Sequence, residues 1–462
     1  MKTVFNIFFI LQLTFTNCFS FSQSDSMLKK SHGAVEEMNS EVVPSQKADT
    51  SYAGRMKWWT DARFGMFSHW SPAAVAELGS GGWEIAWGNI TWEEYYRLAR
   101  SFKPIEFDAP QIAKHIKSLG VRYFVLTTKH HAGFSIWDTE LTDFNIKEYY
   151  GQDLLKPLCD ALRAENIKVG FYFSAWDWNR TEYRGKPKES TGLLEERRGI
   201  NVDEGNPLWP EFIDFYLGQA EELLTDYGQI DVLWIDGWKR HDPEMWASDR
   251  LWDLVREKQP QCIINDRWGD SIRAEYITSE NRVPDIAPDR PWETCYRANK
   301  GWFYTKTPYM QPREIIRMLI ECVSKNGNLL LNFPLNARGS FDEDAIDTMG
   351  KTGNWLKANG EAVYGCGSID LGSTPYGRAT SRPHHIYLHL YQENVNPGDG
   401  IIIENLKSTP VNARLLTSGK VVGFEREGGH LKIQIPQKIQ LDPISTVIDL
   451  EFKEEIPEIL AD

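Results

Sequence analysis

The strongest constraint on this chain is an alternation that begins near Gly54. Short apolar runs with β character take turns with amphipathic helical stretches. The apolar runs are RFGMF (63–67), YFVLTT (123–128), KVGFYF (168–173), DVLWI (231–235), CIIN (262–265) and NLLLNF (328–333). Helical stretches lie at 109–119, 153–165, 207–227, 243–258 and 312–325. The last carries Ile315, Ile316, Leu319, Ile320 and Val323, a stripe that buries one helix face, and Pro312 suits a first turn, where its missing N–H costs no bond. Strands that alternate with helices make a parallel sheet. Two weaker strand candidates, 275–278 and 292–295, bring the number to eight, and no glycine-rich phosphate loop follows any strand. Eight strands favour a closed (β/α)8-like (TIM) barrel over an open doubly wound sheet.

After a helix expected at 342–359 the texture changes. The runs at 385–391, 400–405, 420–425, 431–436 and 447–452 are strands separated by turns, the pattern of a C-terminal antiparallel β-sandwich. It holds few candidate catalytic groups, so a supporting role is expected. At the other end, Lys2 precedes an apolar run (4–15), and small or polar residues follow around Cys18 to Ser22. That is the pattern of a secretory signal peptide, and the run is too short to span a bilayer. No later segment has about 18 uninterrupted apolar residues. The expected organisation is a signal peptide (1–22), a disordered lead-in (23–52), the barrel (53–364) and the sandwich (365–462), in a secreted or periplasmic protein. The charged stretch 179–206 reads as solvated loop.

A net charge of −14 argues against a nucleic-acid partner, which needs a basic stripe to displace counterions. Cys159, Cys262, Cys295, Cys322 and Cys366 are widely spaced and odd in number, without a C-x-x-C pair. They suit buried thiols better than a disulfide framework or zinc site. Eighteen Trp is the compositional outlier; most serve a core, but indole faces also stack on the C–H face of a sugar.

In a (β/α) barrel, chemistry collects at the C-terminal ends of the strands. The unusual polar residues fall there: His69 after the first strand, Lys129, His130 and His131 after the second, and Ser174, Trp176 and Asp177 after the third. Asp236 ends the fourth, Asn265, Asp266 and Arg267 follow the fifth, Glu293 lies in the seventh and Asn332 closes the eighth. Asp236 is the sharpest candidate, because Gly237 beside it lets the chain turn away and leaves the carboxylate at the barrel mouth. Glycoside hydrolysis needs a second carboxylate. Glu293, between aromatic neighbours that would raise its pKa, and Glu280 both qualify. His130 and His131 lack a carboxylate at ligand-like spacing, so bonding to sugar hydroxyls fits them better than holding a metal.

These motifs resemble glycoside hydrolase family 29, the α-L-fucosidases, from about Met56 to Gly365. The matching segments are FGMFSHW, LTTKHHAGF, GFYFSAWDW, DVLWIDGW, INDRWG, PWETC and GNLLLNFPLNARG, in that order. The resemblance implies a retaining exo-α-L-fucosidase with no cofactor and no metal, acting on a fucosylated oligosaccharide or polysaccharide. It implies Asp236 as nucleophile and Glu293 as acid/base. His69, His130, His131, Tyr172, Trp234 and Glu84 resemble the fucose pocket, with Arg267 added from its strand-end position. The chain departs from the family at Ala132, where aspartate is usual, and at Ser71, where glycine is. The first departure opens the alternative of another L-sugar such as α-L-galactose. A non-hydrolytic carbohydrate-binding protein is the alternative from another class. No oligomeric state follows from the sequence.

Overall fold

The computed structural model describes residues 50–185, 206–237 and 242–459, and within them the alternation becomes one eight-stranded parallel sheet. Its strands are β1 (Phe64–Ser68), β2 (Tyr123–Lys129), β3 (Lys168–Ser174), β4 (Val232–Asp236), β5 (Ile263–Ile264), β6 (Ile277–Glu280), β7 (Trp292–Arg297) and β8 (Gly327–Asn332). They are ordered β5-β4-β3-β2-β1-β8-β7-β6. The sheet curls until its two edge strands meet at a single parallel bridge, Asn265 to Tyr276. The expected barrel is present, fastened there by one backbone bridge.

Helices at Ala109–Leu119, Leu155–Ala164, Trp209–Thr225, Ser248–Lys258, Pro312–Val323 and Glu343–Asn359 agree with the expected stretches to within a few residues. Their apolar faces join the outer core with Phe64, Phe124, Val169, Leu233 and Leu329 of the strands. Alternate strand residues turn inward and fill the barrel with rings: Phe67, Tyr123, Tyr172, Trp234 and Tyr276, with Trp59 below. The strands therefore read as continuous apolar runs, because both faces are buried. Between β5, β6 and β7 the described chain has no helix, which explains the weak signal at 275–278 and 292–295.

Beyond the last helix the chain forms two antiparallel sheets. One is ordered β12-β15-β10-β9 and the other β11-β14-β13. The strands are β9 (Gly377–Arg382), β10 (His385–Leu390), β11 (Gly400–Ile403), β12 (Asn412–Leu415), β13 (Gly423–Glu427), β14 (His430–Gln434) and β15 (Thr446–Glu451). Ile386, Leu388, Ile448 and Leu450 of the first share a core with Ile401, Ile403, Leu431 and Ile433 of the second, as in a sandwich. Two of these strands were not expected. β9 reads GRATSR and is an edge, and β12 is four residues long, so neither shows an apolar run. Arg317 donates to the Ile444 carbonyl and the Trp355 indole to that of Ser445, joining these sheets to the barrel helices.

Among the described residues, Cys159, Cys262, Cys295, Cys322 and Cys366 are buried and free. No helix among the described residues is long and apolar enough to cross a membrane. The expected signal peptide and the lead-in up to residue 49 lie outside the described residues, as do 186–205 of the charged stretch. The end of the expected lead-in is ordered instead: Ser51 caps the helix Tyr52–Ala62 by accepting from the Gly54 amide.

Gly353 lets the helix Glu343–Asn359 press against Ala109–Leu119. A Cβ there would lie 1.7 Å from the Ser118 carbonyl oxygen. Gly353→Ala should therefore force the helices apart and cost about 1–3 kcal/mol, measurable as a lower midpoint in chemical denaturation.

Candidate active site

The C-terminal ends of the strands surround a cavity of about 200 Å³. That is below the usual range for drug-sized ligands, roughly 300–1,000 Å³, and suits one small polar molecule. Its walls are Phe67, His69, Trp83, His130, His131, Tyr172, Trp176, Trp234, Asp236, Gly237, Arg267, Glu280, Cys295 and Trp302.

Asp236 is the last residue of β4, and its side chain is 23% exposed, open to the cavity. Gly237 turns the chain away at φ +98, and a Cβ there would meet Trp176 at 2.7 Å. The carboxylate is held from three sides. Tyr172 donates its hydroxyl to Oδ2 at 2.9 Å, Arg267 Nη1 lies 3.3 Å from Oδ1, and His131 Nε2 lies 3.9 Å from Oδ2. Arg267 is itself fixed by donating Nε to Thr278 Oγ1 at 2.8 Å and by lying over the Trp234 ring at 4.9 Å.

The same Arg267 Nη1 reaches Glu280 Oε2 at 3.2 Å. Two carboxylate oxygens within 3.3 Å of one nitrogen are at most twice that distance apart. Glu280 ends β6 and is 43% exposed at the mouth of the cavity, whereas Asp236 sits deeper. The pair is thus one inner and one outer carboxylate facing a shared space.

Burial holds two of the imidazoles, His69 and His130, neutral. Burial pushes His69 down to about 4, partly countered by its bond to Asn332, where Nδ1 donates to Oδ1 over 2.8 Å. Burial, then the neighbouring His131 and His69, hold His130 well below the usual histidine range. His131 Nδ1 lies 2.6 Å from Ser174 Oγ, whose own proton goes to the Trp176 carbonyl, so this network assigns the imidazole proton to Nδ1. Neutral rings can accept from and donate to hydroxyls without burying a charge.

Other expected residues are not at the cavity. Glu293 is fully buried beneath it: one oxygen accepts from Trp234 Nε1 at 3.0 Å and the other from the Tyr123 hydroxyl at 2.5 Å. In the parallel register Glu293 pairs with Thr278 and Cys295 with Glu280, so Glu293 lies two residues deeper than Glu280. Glu293, the acid/base that the resemblance implies, therefore does not line the cavity. Glu84 also misses the cavity, because it sits on the short helix Trp83–Ala86 and accepts from Asn89 Nδ2 at 2.6 Å; its neighbour Trp83 lines the wall instead. His69, His130, His131, Tyr172, Trp234, Asp236 and Arg267 do meet there. Trp302 and Phe67 were not anticipated. Trp302 comes from a loop without periodic signal, while Phe67 is the inward residue before the end of β1.

Lys129 and Asp177 lie behind the wall. Their ion pair spans 3.4 Å, is almost wholly buried, and is completed by Gln219 Oε1 at 2.9 Å from Lys129 Nζ. It ties the loop that carries His130 and His131 to the loop after β3. Among the described residues, a set that could converge on a metal ion is Glu361, His385 and Asp449, in and beside the C-terminal sheets. Arg382 and Arg414 already pair with its carboxylates.

The family model described as alpha-L-fucosidase matches residues 32–361. The tissue alpha-L-fucosidase of Macaca fascicularis is 30% identical over 341 residues, covering 66% of this chain and 68% of that protein. The Rattus norvegicus tissue enzyme is 29% identical over 339 residues, covering 67% and 69%. Among solved structures, alpha-L-fucosidase isoenzyme 1 from Paenibacillus thiaminolyticus superposes with a TM-score of 0.79 at 33% identity, covering 87% of this chain and 100% of that one. A Bacteroides thetaiotaomicron alpha-L-fucosidase of family GH29 superposes at 0.74 with 26% identity, covering 86% and 95%. That structure is a trapped covalent intermediate with 2-fluoro-fucosyl fluoride, obtained with a Glu-to-Gln mutant.

Lys129→Met should leave Asp177 buried without its counter-charge. A loss of about 3–5 kcal/mol in unfolding free energy is expected, read from urea denaturation of the two proteins.

Proposed function

The chain belongs to the alpha-L-fucosidase family, and from that membership we propose how its pocket works: Asp236 is the nucleophile and Glu280 the general acid/base. The protein is an α-L-fucosidase, a retaining glycoside hydrolase whose substrates are fucosylated glycans. The observation that carries the assignment is the single Arg267 guanidinium that contacts both carboxylates across the cavity. Its reach bounds their separation within a range that includes the roughly 5–5.5 Å of retaining enzymes.

In the first step Asp236 attacks the anomeric carbon while Glu280 gives its proton to the departing glycosidic oxygen. A fucosyl ester of Asp236 forms and the aglycone leaves past Glu280, at the exposed side. In the second step Glu280 takes a proton from water, the water oxygen attacks the anomeric carbon, and the ester bond breaks to restore Asp236. Two inversions leave the configuration unchanged. Arg267 and Tyr172 hold Asp236 in place and aimed. His69, His130 and His131 supply imidazole partners for ring hydroxyls, and the surrounding indoles supply apolar faces for the C–H edges.

Ala132 bears on the choice of sugar. It is buried, does not line the cavity, and faces Gly82, where a Cβ would come within 2.8 Å of its methyl. The missing carboxylate therefore concerns the packing of the Gly82 turn, and it leaves no added room for the extra hydroxyl of a galactoside. This favours fucose over L-galactose. Export of the chain is proposed on the pattern of residues 1–22 alone.

An aryl glycoside panel tests the assignment. Wild type should release phenol from the α-L-fucoside in preference to the α-L-galactoside. Asp236→Ala should lose about 10³-fold or more in kcat and regain turnover with azide. Glu280→Gln should slow fucosides with poor leaving groups far more than activated ones. Equal loss on every leaving group would count against Glu280.

A further inference from the structure

Glu293 is an ionisable group that the reaction leaves unused, and its surroundings are specific. Its two oxygens take the Trp234 indole N–H and the Tyr123 hydroxyl, with no exposure to solvent. Trp234 is the floor of the pocket. Its ring stacks on Tyr172 with centroids 5.5 Å apart and carries the Arg267 guanidinium at 4.9 Å. Tyr172 and Arg267 are the two groups that hold Asp236 from the sides. The indole is therefore pinned at its N–H by Glu293, while its neighbours set the position of the nucleophile.

We infer that Glu293 is a positioning residue: through the Trp234 indole it sets the surface against which Tyr172 and Arg267 align Asp236, and a proton gained or lost on Glu293 changes how firmly that surface is held. This rests on the reading of Asp236 and Glu280 as the reacting pair.

The network is matched to ionised Glu293, since both of its neighbours donate to it. With Glu293 ionised, both incoming hydrogen bonds are charge-assisted, roughly twice as strong as neutral ones. When Glu293 takes up a proton, the new O–H points to the Tyr123 oxygen, and the Tyr123 proton must turn to another acceptor. The Asn328 side chain lies beside it, with Nδ2 3.5 Å from the Tyr123 hydroxyl and donating to the Trp59 carbonyl at 2.8 Å. Asn328 presents Nδ2, a donor, to the Tyr123 hydroxyl, so neutral Glu293 leaves this contact one acceptor short. The Trp234 N–H keeps an acceptor in either state but loses the charge when Glu293 is neutral.

The groups that face Glu293 are Tyr123 on β2, Tyr276 before β6, Cys295 on its own strand, and Arg267 above. Burial raises Glu293 from its ordinary 4.5 to about 7, against the opposing effect of the Tyr123 and Trp234 hydrogen bonds and the Arg267 charge. The switch therefore falls near neutrality. Because the folded protein holds this proton more tightly than the unfolded chain, the group favours folding below 4.5, and that contribution is lost as pH rises through about 7.

The experiment is binding of L-fucose, a neutral ligand, by calorimetry from pH 5 to 8.5 in wild type, Glu293→Gln and Trp234→Phe, with thermal melts over the same range. Glutamine can accept from Trp234 and donate to Tyr123, so it mimics the neutral state. Wild-type affinity should rise several-fold, up to about tenfold, as pH passes 7. The Glu293→Gln protein should stay at the low-pH level throughout, and Trp234→Phe, which removes the N–H but keeps Glu293, should also lose the dependence. The melting temperature of Glu293→Gln should gain on wild type above pH 7. An unchanged pH dependence in either variant would overturn the inference. So would a Glu293→Gln enzyme impaired mainly on poor leaving groups and rescued by azide, which would make Glu293 the acid/base. Failure of wild type to hydrolyse any fucoside would strike the assigned reaction instead, and the melts would still report on Glu293.

Discussion

Eight parallel strands that curl together enclose a space that side chains must fill, and in this chain rings fill much of it. Branched aliphatics usually occupy such interiors. Phe67, Tyr123, Tyr172, Trp234 and Tyr276 occupy this one. Rings fill the volume in fewer residues, but tyrosine and tryptophan bring hydroxyls and N–H groups into a region without water, where an unpaired polar atom is costly. The interior consequently contains acceptors. Glu293 serves Trp234 and Tyr123, and Asp236 serves Tyr172. The carboxylate that would react with the sugar belongs to the same polar scaffolding that lets an aromatic interior exist.

The electrostatics of the pocket follow from how few charges are left there. Arg267 lies between Asp236 and Glu280, and His69 and His130 are held neutral by burial. A neutral sugar therefore meets directional donors and acceptors, with the strong field concentrated on the line between the two carboxylates. Lys129 and Asp177 satisfy each other outside the wall and fix the loops without adding charge to the cavity.

The fold was legible because the strands are buried on both faces and the helices on one, so each leaves its own period in the sequence. Strands β9 and β12 escaped because an edge strand and a four-residue strand leave almost none. The position of Asp236 was legible for a local reason, a strand end followed by glycine. The choice between Glu280 and Glu293 was not local. Both lie on short strands of the barrel, and only the register of β6 against β7 tells which is at the rim and which is below the floor. Register depends on the whole closed sheet, and the thirteen-residue offset along the chain does not reveal it. Glu84 and Trp302 depend on loop conformation, which has no period at all.

The seam of the barrel has a consequence for how the enzyme holds together. Backbone pairing between β5 and β6 amounts to the bridge at Asn265 and Tyr276. Side chains fasten the rest: Thr278 of β6 receives Arg267 Nε and donates to Asp266, and Glu280 meets Arg267, both partners coming from the β5 side. The pocket thus works as the clasp of its own barrel. Sequence drift at this edge is restrained twice, since a change that spoils the chemistry also unfastens the ring, and lineages that abandon the reaction would have to find a different way to keep the circle shut.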